Sequence, residues 1–502
     1  MMHSNYSTNY SIGIRSLALS FGSIIRTNEY WLNKFPELVQ QEKPRKPRLP
    51  KPSNTSNRNV FDIWSQAVAP YLSDPFRGTV ERRVVDANES SLTLEYRAAK
   101  DALAAAQVSP QEIELAIVAS LFPEQVGHGN ACHLAHQLEL RCPAWNLEST
   151  CSSALVALQN AQALIQTGAY RNALVVVSHI GSKTVDEEDT LSWSMGDAAG
   201  AFVVDRLKPN QGILGAKIVN TAATCGAYLH ELVTDAQGKP RIRTRTGDNA
   251  IALAETSVDF VRNCCENAAA AAGVTLAQID FFAFNTPTAW YTDVCTRALG
   301  ISAERTINLY PQYANIGPVL PIANLYHAAH ASKICENDLV LVYTKGAAAT
   351  AAAVVMRWGD VALGSVPVSP GSVTQQKIHL TANSLPREKS SITRKKLLTV
   401  CREKQRQMLE MYLIEWLRSL QLPLSQSDRE QPFASLLDSL TTFLLKTQIE
   451  NDLGVRVPIE QFFGDRNIAQ LVEVLGDRLA LVNLTADSIS VADVEEREKL
   501  SL

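Results

Sequence analysis

The chain has 502 residues, of which 46% are apolar and 20% charged, and its formal net charge is -4. This balance is typical of a globular protein with more than one domain, and it excludes a general attraction to nucleic acid or anionic lipid. The nine cysteines are irregularly spaced and include no CxxC pair. We therefore expect reduced thiols in a cytoplasmic protein, with no zinc site, no signal peptide and no membrane span.

Strand-like apolar runs alternate with alanine-rich helical stretches from Ser11 to Leu363, a pattern that predicts α/β layers. The predicted strands cover 113–122, 172–180, 198–207 and 279–284, with two paired strands in 339–358. The predicted helices cover 131–140, 151–170, 256–273 and 290–300. Two similar halves are suggested, each with a helix that starts beside a strand end.

Two segments break this pattern. Residues 42–59 are rich in proline, lysine and arginine, which predicts a solvated loop. The alternative is a basic contact for an acidic carrier or for the phosphates of coenzyme A. Residues 364–399 lack hydrophobic periodicity, and we interpret them as a linker between domains.

A small helical module is predicted over 400–482, followed by an acidic tail at 483–502. Its first helix has an amphipathic stripe, and its second begins with Asp438-Ser439 and ends at Gly454, as capping residues should. The stripe runs through Met408, Tyr412, Ile414, Trp416 and Leu417. With two shorter stretches, "PIEQFF" and "NIAQLVEVLGDRL", this makes a four-helix pattern.

Cys151 stands directly before a small-residue helix, in "NLESTCSSALVAL". Unpaired N–H groups and the helix dipole at such a position favour a thiolate and predict a lowered pKa. The alternative is a small buried thiol with no chemical role.

Several segments, taken in order, resemble ketoacyl-carrier-protein synthase III of the thiolase superfamily. "STCSSALVALQNA" resembles the nucleophile segment of that family, and "MGDAAGAFVVD" resembles its glycine-rich Asp segment, with Ala198 in place of one glycine. Similar matches are "SIGIRSLALSFGSIIRTNEYW", "FRGTVERRVVD", "YANIGPVLPIANL" and "VLVYTKGAAATAAAVVMRW". The resemblance implies a thiolase-like, five-layered, duplicated αβαβα domain over residues 1–363.

The resemblance also implies the site residues. Cys151 matches the acyl-accepting nucleophile, and Asn315 matches an asparagine that donates to the thioester carbonyl. Asn315 could instead be only a turn-former. The N–H groups of Cys151 and Ala347 match an oxyanion hole, which would stabilise charge growing on the thioester oxygen.

One position departs from the family, because Asn285 stands where the family has a histidine. The histidine and asparagine together drive decarboxylation of a malonyl unit in that family. Asparagine can donate a hydrogen bond but cannot carry charge or shuttle a proton near neutral pH, so decarboxylative condensation is in doubt. His179, His327 and His330 are the alternative proton carriers, although a packed histidine is the more common role.

The C-terminal module resembles an acyl- or peptidyl-carrier domain. Its Asp438-Ser439-Leu440 matches the attachment motif, which implies that Ser439 carries covalent 4′-phosphopantetheine, although Leu436 replaces the usual glycine. A hydroxyl at a helix N-terminus suits a phosphodiester. The alternative is that Ser439 is only an N-cap.

Together these features predict an acyltransferase or condensing enzyme fused to its own carrier. Cys151 would take an acyl group from coenzyme A or a carrier and pass it to an acceptor, in polyketide, fatty acid or specialised lipid biosynthesis. The alternatives are non-decarboxylating transfer to a hydroxyl or amine, and a non-catalytic partner of another ketosynthase. The expected partners are a phosphopantetheinyl transferase, other biosynthetic enzymes and a second copy of the chain, with neither nucleic acid nor metal.

Overall fold

A computed structural model describes residues 11–41, 58–235, 238–367, 402–419 and 467–480, with single residues between 397 and 457. The chain forms two compact units, which are described separately below. Within the described residues, no helix combines the length and the apolar composition needed to cross a membrane.

The first unit contains two main sheets. The strands of the six-stranded sheet are, in spatial order, β14 (Ala362–Leu363), β1 (Ile12–Phe21), β7 (Asp197–Arg206), β6 (Ala173–Ile180), β4 (Ala116–Leu121) and β5 (Ala144–Asn146). The strands of the four-stranded sheet are β11 (Phe281–Phe284), β12 (Leu339–Lys345), β13 (Thr350–Arg357) and β8 (Gly212–Asn220). Two smaller antiparallel pairs are formed by β2 (Ile24–Thr27) with β3 (Glu81–Val84) and by the hairpin of β9 (Tyr228–Thr234) and β10 (Pro240–Thr246).

The two main sheets repeat one topology. In the first, β4 and β6 are parallel, and β7 and β1 follow as antiparallel neighbours. In the second, β11 and β12 are parallel, and β13 and β8 follow in the same way. This repeat confirms the duplication that the sequence suggested.

Helices lie on both faces of each sheet. The longer helices are α4 (Ser91–Ala106), α5 (Ala131–Gln137), α6 (Ser153–Gln166), α8 (Ser257–Ala271), α9 (Tyr291–Leu299) and α11 (Leu320–His330). The shorter or peripheral helices are α1 (Glu29–Lys34), α2 (Pro36–Gln41), α3 (Arg58–Val68), α7 (Ala252–Glu255) and α10 (Tyr310–Tyr313). Arg58 and Asn59, which we placed in the basic loop, belong to α3, and residues 42–57 lie outside the described part.

The buried side chains define five layers. One core combines α6 and α11 with strands from both sheets, so these two helices form the central layer. A second core places α4 and α5 on the outer face of the first sheet, and a third places α8 and α9 on the outer face of the second. The predicted αβαβα architecture is confirmed.

The second unit has its own helical core. Helix α12 (Arg402–Ser419) packs against the helix at 468–480, burying Leu409, Leu413 and Leu417. Leu397, which we placed at the end of the linker, is fully buried in this same core. Tyr412 donates a hydrogen bond of 2.8 Å to Asp452, which ties α12 to the middle of the module. Ser439 lies outside the described residues.

Candidate active site

Cys151 lies in a short 3-10 turn, Thr150–Ser152, directly before α6. Two hydrogen bonds of one side chain close the turn, because the hydroxyl of Ser153 donates to the Thr150 carbonyl at 2.7 Å and accepts from the Ser149 N–H at 2.9 Å. Thr150 has a φ of +48°, which is unusual for a β-branched residue. Strained backbone of this kind is concentrated at functional positions.

The Cys151 turn rests on the loop between β12 and β13. The Ser149 and Thr350 hydroxyl oxygens are 2.7 Å apart, and the hydroxyl of Ser152 donates to the Thr350 carbonyl at 2.7 Å. A Cβ on Gly346 would lie 2.2 Å from Oγ1 of Thr150, so only glycine permits this approach.

Two amides, one in the Cys151 turn and one in the β12–β13 loop that the turn contacts, have no oxygen acceptor among the described residues. Other N–H groups of the β12–β13 loop are bonded, since Ala348 donates to Thr224 at 2.7 Å and Ala349 donates to Thr221 at 3.0 Å. The N–H groups of Cys151 and Ala347 are bonded to no oxygen atom in the described part of the chain. These are the two donors that the sequence assigned to an oxyanion hole.

The pKa of Cys151 contradicts the prediction from the helix dipole. Burial, and then the negative charge of Glu148, raise the pKa of the Cys151 thiol to about 12. Desolvation penalises the thiolate, and here it outweighs the N–H groups and the dipole at the start of α6. The resting enzyme therefore holds a neutral thiol.

Alkylation of Cys151 should consequently depend steeply on pH. Only the thiolate reacts, so the rate with iodoacetamide should rise about tenfold per pH unit between about pH 7 and pH 10. Quantitative mass spectrometry of the Cys151 peptide measures this rate, with the Cys335 peptide reporting reagent delivery. A rate that has already levelled off at pH 7 would contradict the raised pKa.

Both asparagines hold one turn, Gly317–Val319. Asn285 follows β11 and is fully buried; its Nδ2 donates to the Gly317 carbonyl at 2.8 Å. The Oδ1 of Asn315 accepts from the Gly317 N–H at 2.9 Å, as a turn-former would. This turn packs against the Cys151 turn, so the structure brings Cys151, Asn285 and Asn315 to one place.

The side-chain oxygen of Asn285 has no hydrogen-bond partner among the described residues. This atom, Oδ1, is also buried. Because the Gly317 carbonyl can only accept, the amide nitrogen must face Gly317, and the oxygen is left free. Asn285 therefore offers a free acceptor and engages at least one of its donor hydrogens with the backbone.

Of the three candidate histidines, His179 contacts the asparagine turn. Its ring packs against Gly317, and its Nδ1 lies 2.9 Å from the Gly196 carbonyl, to which it must donate. Burial lowers the pKa of His179 to about 4, so the ring is neutral and its Nε2 can accept a proton. His327 instead pairs with the Tyr313 hydroxyl at 3.0 Å, and His330 is exposed on the same helix, α11.

Two side chains near the site were missed by the sequence analysis. Tyr228 and His230 are alternate residues on β9, so they share one face. Burial and then the charge of Cys151 raise the pKa of Tyr228 to about 12, which places its hydroxyl near the thiol. His230 makes an edge-on ring contact with Phe122, whose ring also contacts His179. The stretch "YLHELVT" does not alternate regularly between polar and apolar residues, so its pattern did not mark these two side chains.

The glycine-rich Asp segment contacts the loop that carries Asn315. Asp197 is buried and accepts hydrogen bonds from the N–H groups of Val85, at 2.8 Å, and Ser182, at 2.9 Å. The adjacent Gly196 donates to the carbonyl of Asn315 at 3.1 Å. A Cβ on Gly196 would lie 2.2 Å from the Tyr313 carbonyl, so this contact also requires glycine.

Comparisons with known proteins give three family matches along the chain. The family described as 3-Oxoacyl-[acyl-carrier-protein (ACP)] synthase III matches residues 145–222, and its C-terminal domain matches 269–358. The family described as Phosphopantetheine attachment site matches residues 415–475.

Curated relatives and solved structures agree with these matches. Beta-ketoacyl-[acyl-carrier-protein] synthase III of Microcystis aeruginosa is 30% identical over 296 residues, covering 56% of this chain and 87% of the relative. The crystal structure of the Aquifex aeolicus synthase III superposes with a TM-score of 0.54 at 23% identity, covering 69% of this chain and 100% of the other. OleA of Xanthomonas campestris gives 0.55 at 18%, covering 70% and 98%. The two structures show the fold, and the relative shows the family.

The chain is an acyl-transferring condensing enzyme with a phosphopantetheine attachment domain, and it belongs to the 3-oxoacyl-[acyl-carrier-protein] synthase III family.

Proposed function

We propose that Cys151 accepts an acyl group from a coenzyme A or carrier thioester and passes it to an acceptor linked to the arm on Ser439. The observation that carries this proposal is that the N–H groups of Cys151 and of Ala347, in the loop that the Cys151 turn contacts, have no oxygen acceptor among the described residues. Donors without an acceptor are suited to an oxygen that becomes negative during the reaction.

The first half-reaction is a thioester exchange. The sulfur of Cys151 forms a bond to the acyl carbon, and the carbonyl oxygen takes up the electron pair between the two N–H groups. The carbon–sulfur bond to the donor then breaks as the carbonyl reforms. The donor thiol leaves with the proton that Cys151 gave up, so charge balances.

The second half-reaction delivers the acyl group to an acceptor. Residues 1–363 would act as the synthase domain and 400–482 as the carrier, joined by the linker at 364–399 and followed by the tail at 483–502. Tethering raises the effective concentration of the arm at Cys151 without any new contact. A synthase with its own carrier suits polyketide or specialised lipid assembly in the cytoplasm, with a phosphopantetheinyl transferase and a second copy of the chain as partners.

A second candidate function is acyl transfer to a hydroxyl or amine without loss of carbon dioxide. The free Oδ1 of Asn285 favours it, because a buried acceptor can orient an incoming O–H or N–H group. Decarboxylation instead needs a donor at this position, to stabilise the enolate. The idea of a non-catalytic partner subunit has less support, because such a subunit has no use for Cys151 and its free amides.

Phosphopantetheinylation at Ser439 tests the carrier part of the proposal. Incubation of the full chain with coenzyme A and a phosphopantetheinyl transferase should add one 4′-phosphopantetheine group, and Ser439→Ala should abolish the addition. Ser435→Ala is the matched control, because it removes a neighbouring serine of the same segment and should be modified in full. Intact-mass spectrometry measures both, and an unmodified parent chain or a modified Ser439→Ala chain would remove the assignment.

Acyl transfer within the phosphopantetheinylated chain tests whether Cys151 is the acyl intermediate. After exposure to an acyl-coenzyme A, the acyl mass should be found on the Cys151 peptide first and on the Ser439 arm or its extended product later. An arm that is acylated equally fast in a Cys151→Ala chain would show that Cys151 is not the intermediate.

A further inference from the structure

Three possible metal ligands lie together outside the proposed active site. His128 and Cys132 are exposed, and His133 is partly buried, at the loop that leads into α5. One ligand atom from each, two imidazole nitrogens and a thiol sulfur, lies within 4.8 Å of the other two. The Nε2 atoms of His128 and His133 are only 2.9 Å apart.

The distance between the two histidine nitrogens is close to that of two nitrogens around one tetrahedral ion. With Zn–N bonds of about 2.0–2.1 Å and a Zn–S bond of about 2.3 Å, two nitrogens lie about 3.3 Å apart and a nitrogen and a sulfur about 3.5 Å apart. The two histidines would therefore need to separate by about 0.4 Å to admit zinc. The exposed ring of His128 can make such a shift by a small rotation.

The backbone under the three ligands is held firmly. The Asn146 side chain donates to the His128 carbonyl at 2.7 Å and accepts from the Ala131 N–H at 3.1 Å, bracketing the loop from both ends. Asn130 is fully buried, and its Nδ2 lies 2.9 Å from an oxygen of Glu95. A Cβ on Gly129 would strike Asn146, so the turn also requires glycine there. Only the ligand side chains are free to adjust.

We propose that His128, Cys132 and His133 form a Zn²⁺ site. Zinc binds imidazole and thiolate ligands, whereas Mg²⁺ and Ca²⁺ bind oxygen ligands. Binding replaces the thiol proton with the metal, so one proton is released from Cys132, and each ring coordinates through Nε2. Three protein ligands leave the fourth tetrahedral position to water.

Cobalt provides the spectroscopic test, because Co²⁺ takes the tetrahedral place of zinc and is coloured. The full chain, treated with a chelator and then titrated with Co²⁺, should bind one ion. It should develop the visible bands of tetrahedral cobalt and a thiolate-to-cobalt charge-transfer band in the near ultraviolet. An equivalent of Zn²⁺ should remove both by displacement.

Variants assign the ligands. Cys132→Ser should remove the charge-transfer band. His128→Gln and His133→Gln should each weaken cobalt binding by more than about 100-fold, because loss of a residue that only supports a ligand already costs about 10- to 100-fold. Cys335→Ser and His330→Gln are the matched controls, since both side chains are exposed and lie outside the cluster. All five are exposed or partly exposed side chains, and an unchanged unfolding midpoint of the metal-free protein verifies that each variant is folded.

The outcomes separate clearly. One cobalt per chain, with the band lost in Cys132→Ser and kept in Cys335→Ser, supports the site. The proposal is overturned if the parent chain shows no charge-transfer band, if Cys132→Ser keeps it, or if either histidine variant binds cobalt as tightly as the controls do.

Discussion

Replacing Cys151 with alanine should abolish acylation of the synthase domain. In the proposed mechanism the sulfur of Cys151 forms the covalent bond to the acyl group, while the N–H groups of Cys151 and Ala347 stabilise the oxygen. Removal of a covalent nucleophile eliminates the intermediate and does not merely slow its formation. The expected result is complete loss of the added acyl mass.

The experiment is sharpest in a Ser439→Ala background, because the arm then cannot take up acyl groups by itself. The Ser439→Ala chain, mixed with an acyl-coenzyme A, should gain one acyl mass, and the Cys151→Ala, Ser439→Ala chain should gain none. Cys335→Ala in the same background is the matched control: it removes an exposed thiol and should leave labelling unchanged. Acyl mass that persists without Cys151 would move the nucleophile elsewhere.

The order of motifs was sufficient to predict the fold and the family. Buried strands such as β6 and β12 have continuous apolar sequences, and the helices between them have helical periodicity. Periodicity alone does not assign strands to layers, however. The five-layered arrangement was predicted from the resemblance, and the repeated strand order of the two sheets then confirmed it.

Within the candidate site, the missed features are those that depend on distant contacts. Tyr228 and His230 lie near the site because a separate hairpin carries them there. His179 was named from the sequence as one of three candidates, and only its packing on Gly317 distinguishes it from His327 and His330. The pKa of Cys151 was predicted in the wrong direction, because the sequence shows that a helix begins nearby but not how deeply the thiol is buried. The roles of Asn315, Ala347 and Ser439 stay predictions.

The zinc ligands illustrate a different limit. A search for CxxC spacing finds no metal motif in this chain, whereas His128, Cys132 and His133 converge because a loop folds His128 back over the first turn of α5. That return is determined by Asn146 and Gly129, which lie outside any ligand pattern. Ligand spacing along the sequence therefore carried no signal.

The Asn285→His substitution should increase the release of carbon dioxide from a malonyl thioester. Decarboxylation breaks the bond to the carboxylate, and its electron pair moves onto the thioester oxygen as an enolate. A donor must stabilise that oxygen, but one hydrogen of the Asn285 Nδ2 is already bonded to Gly317, and the buried Oδ1 is an acceptor. A protonated imidazole donates from both nitrogens, to Gly317 and to the enolate, and it carries the positive charge that asparagine lacks. We expect an increase of about 10²-fold, the lower end of the range for a positioned proton donor.

Two further measurements make this prediction decisive. Asn285 is fully buried and histidine is larger, so acylation of Cys151 by an acyl thioester must persist in Asn285→His to show that the site is still assembled. His179→Gln, made in the natural Asn285 chain, tests whether the histidine beside Gly317 already acts in decarboxylation. If Asn285→His acylates normally but its decarboxylation rate is unchanged, the missing donor does not limit the reaction. If His179→Gln lowers the decarboxylation rate, His179 supplies the hydrogen-bond donor for the enolate. The departure at Asn285 then reflects a different route to the same product. If neither variant changes it, transfer to a hydroxyl or amine becomes the favoured reaction, because that route alone makes use of a free acceptor at Asn285.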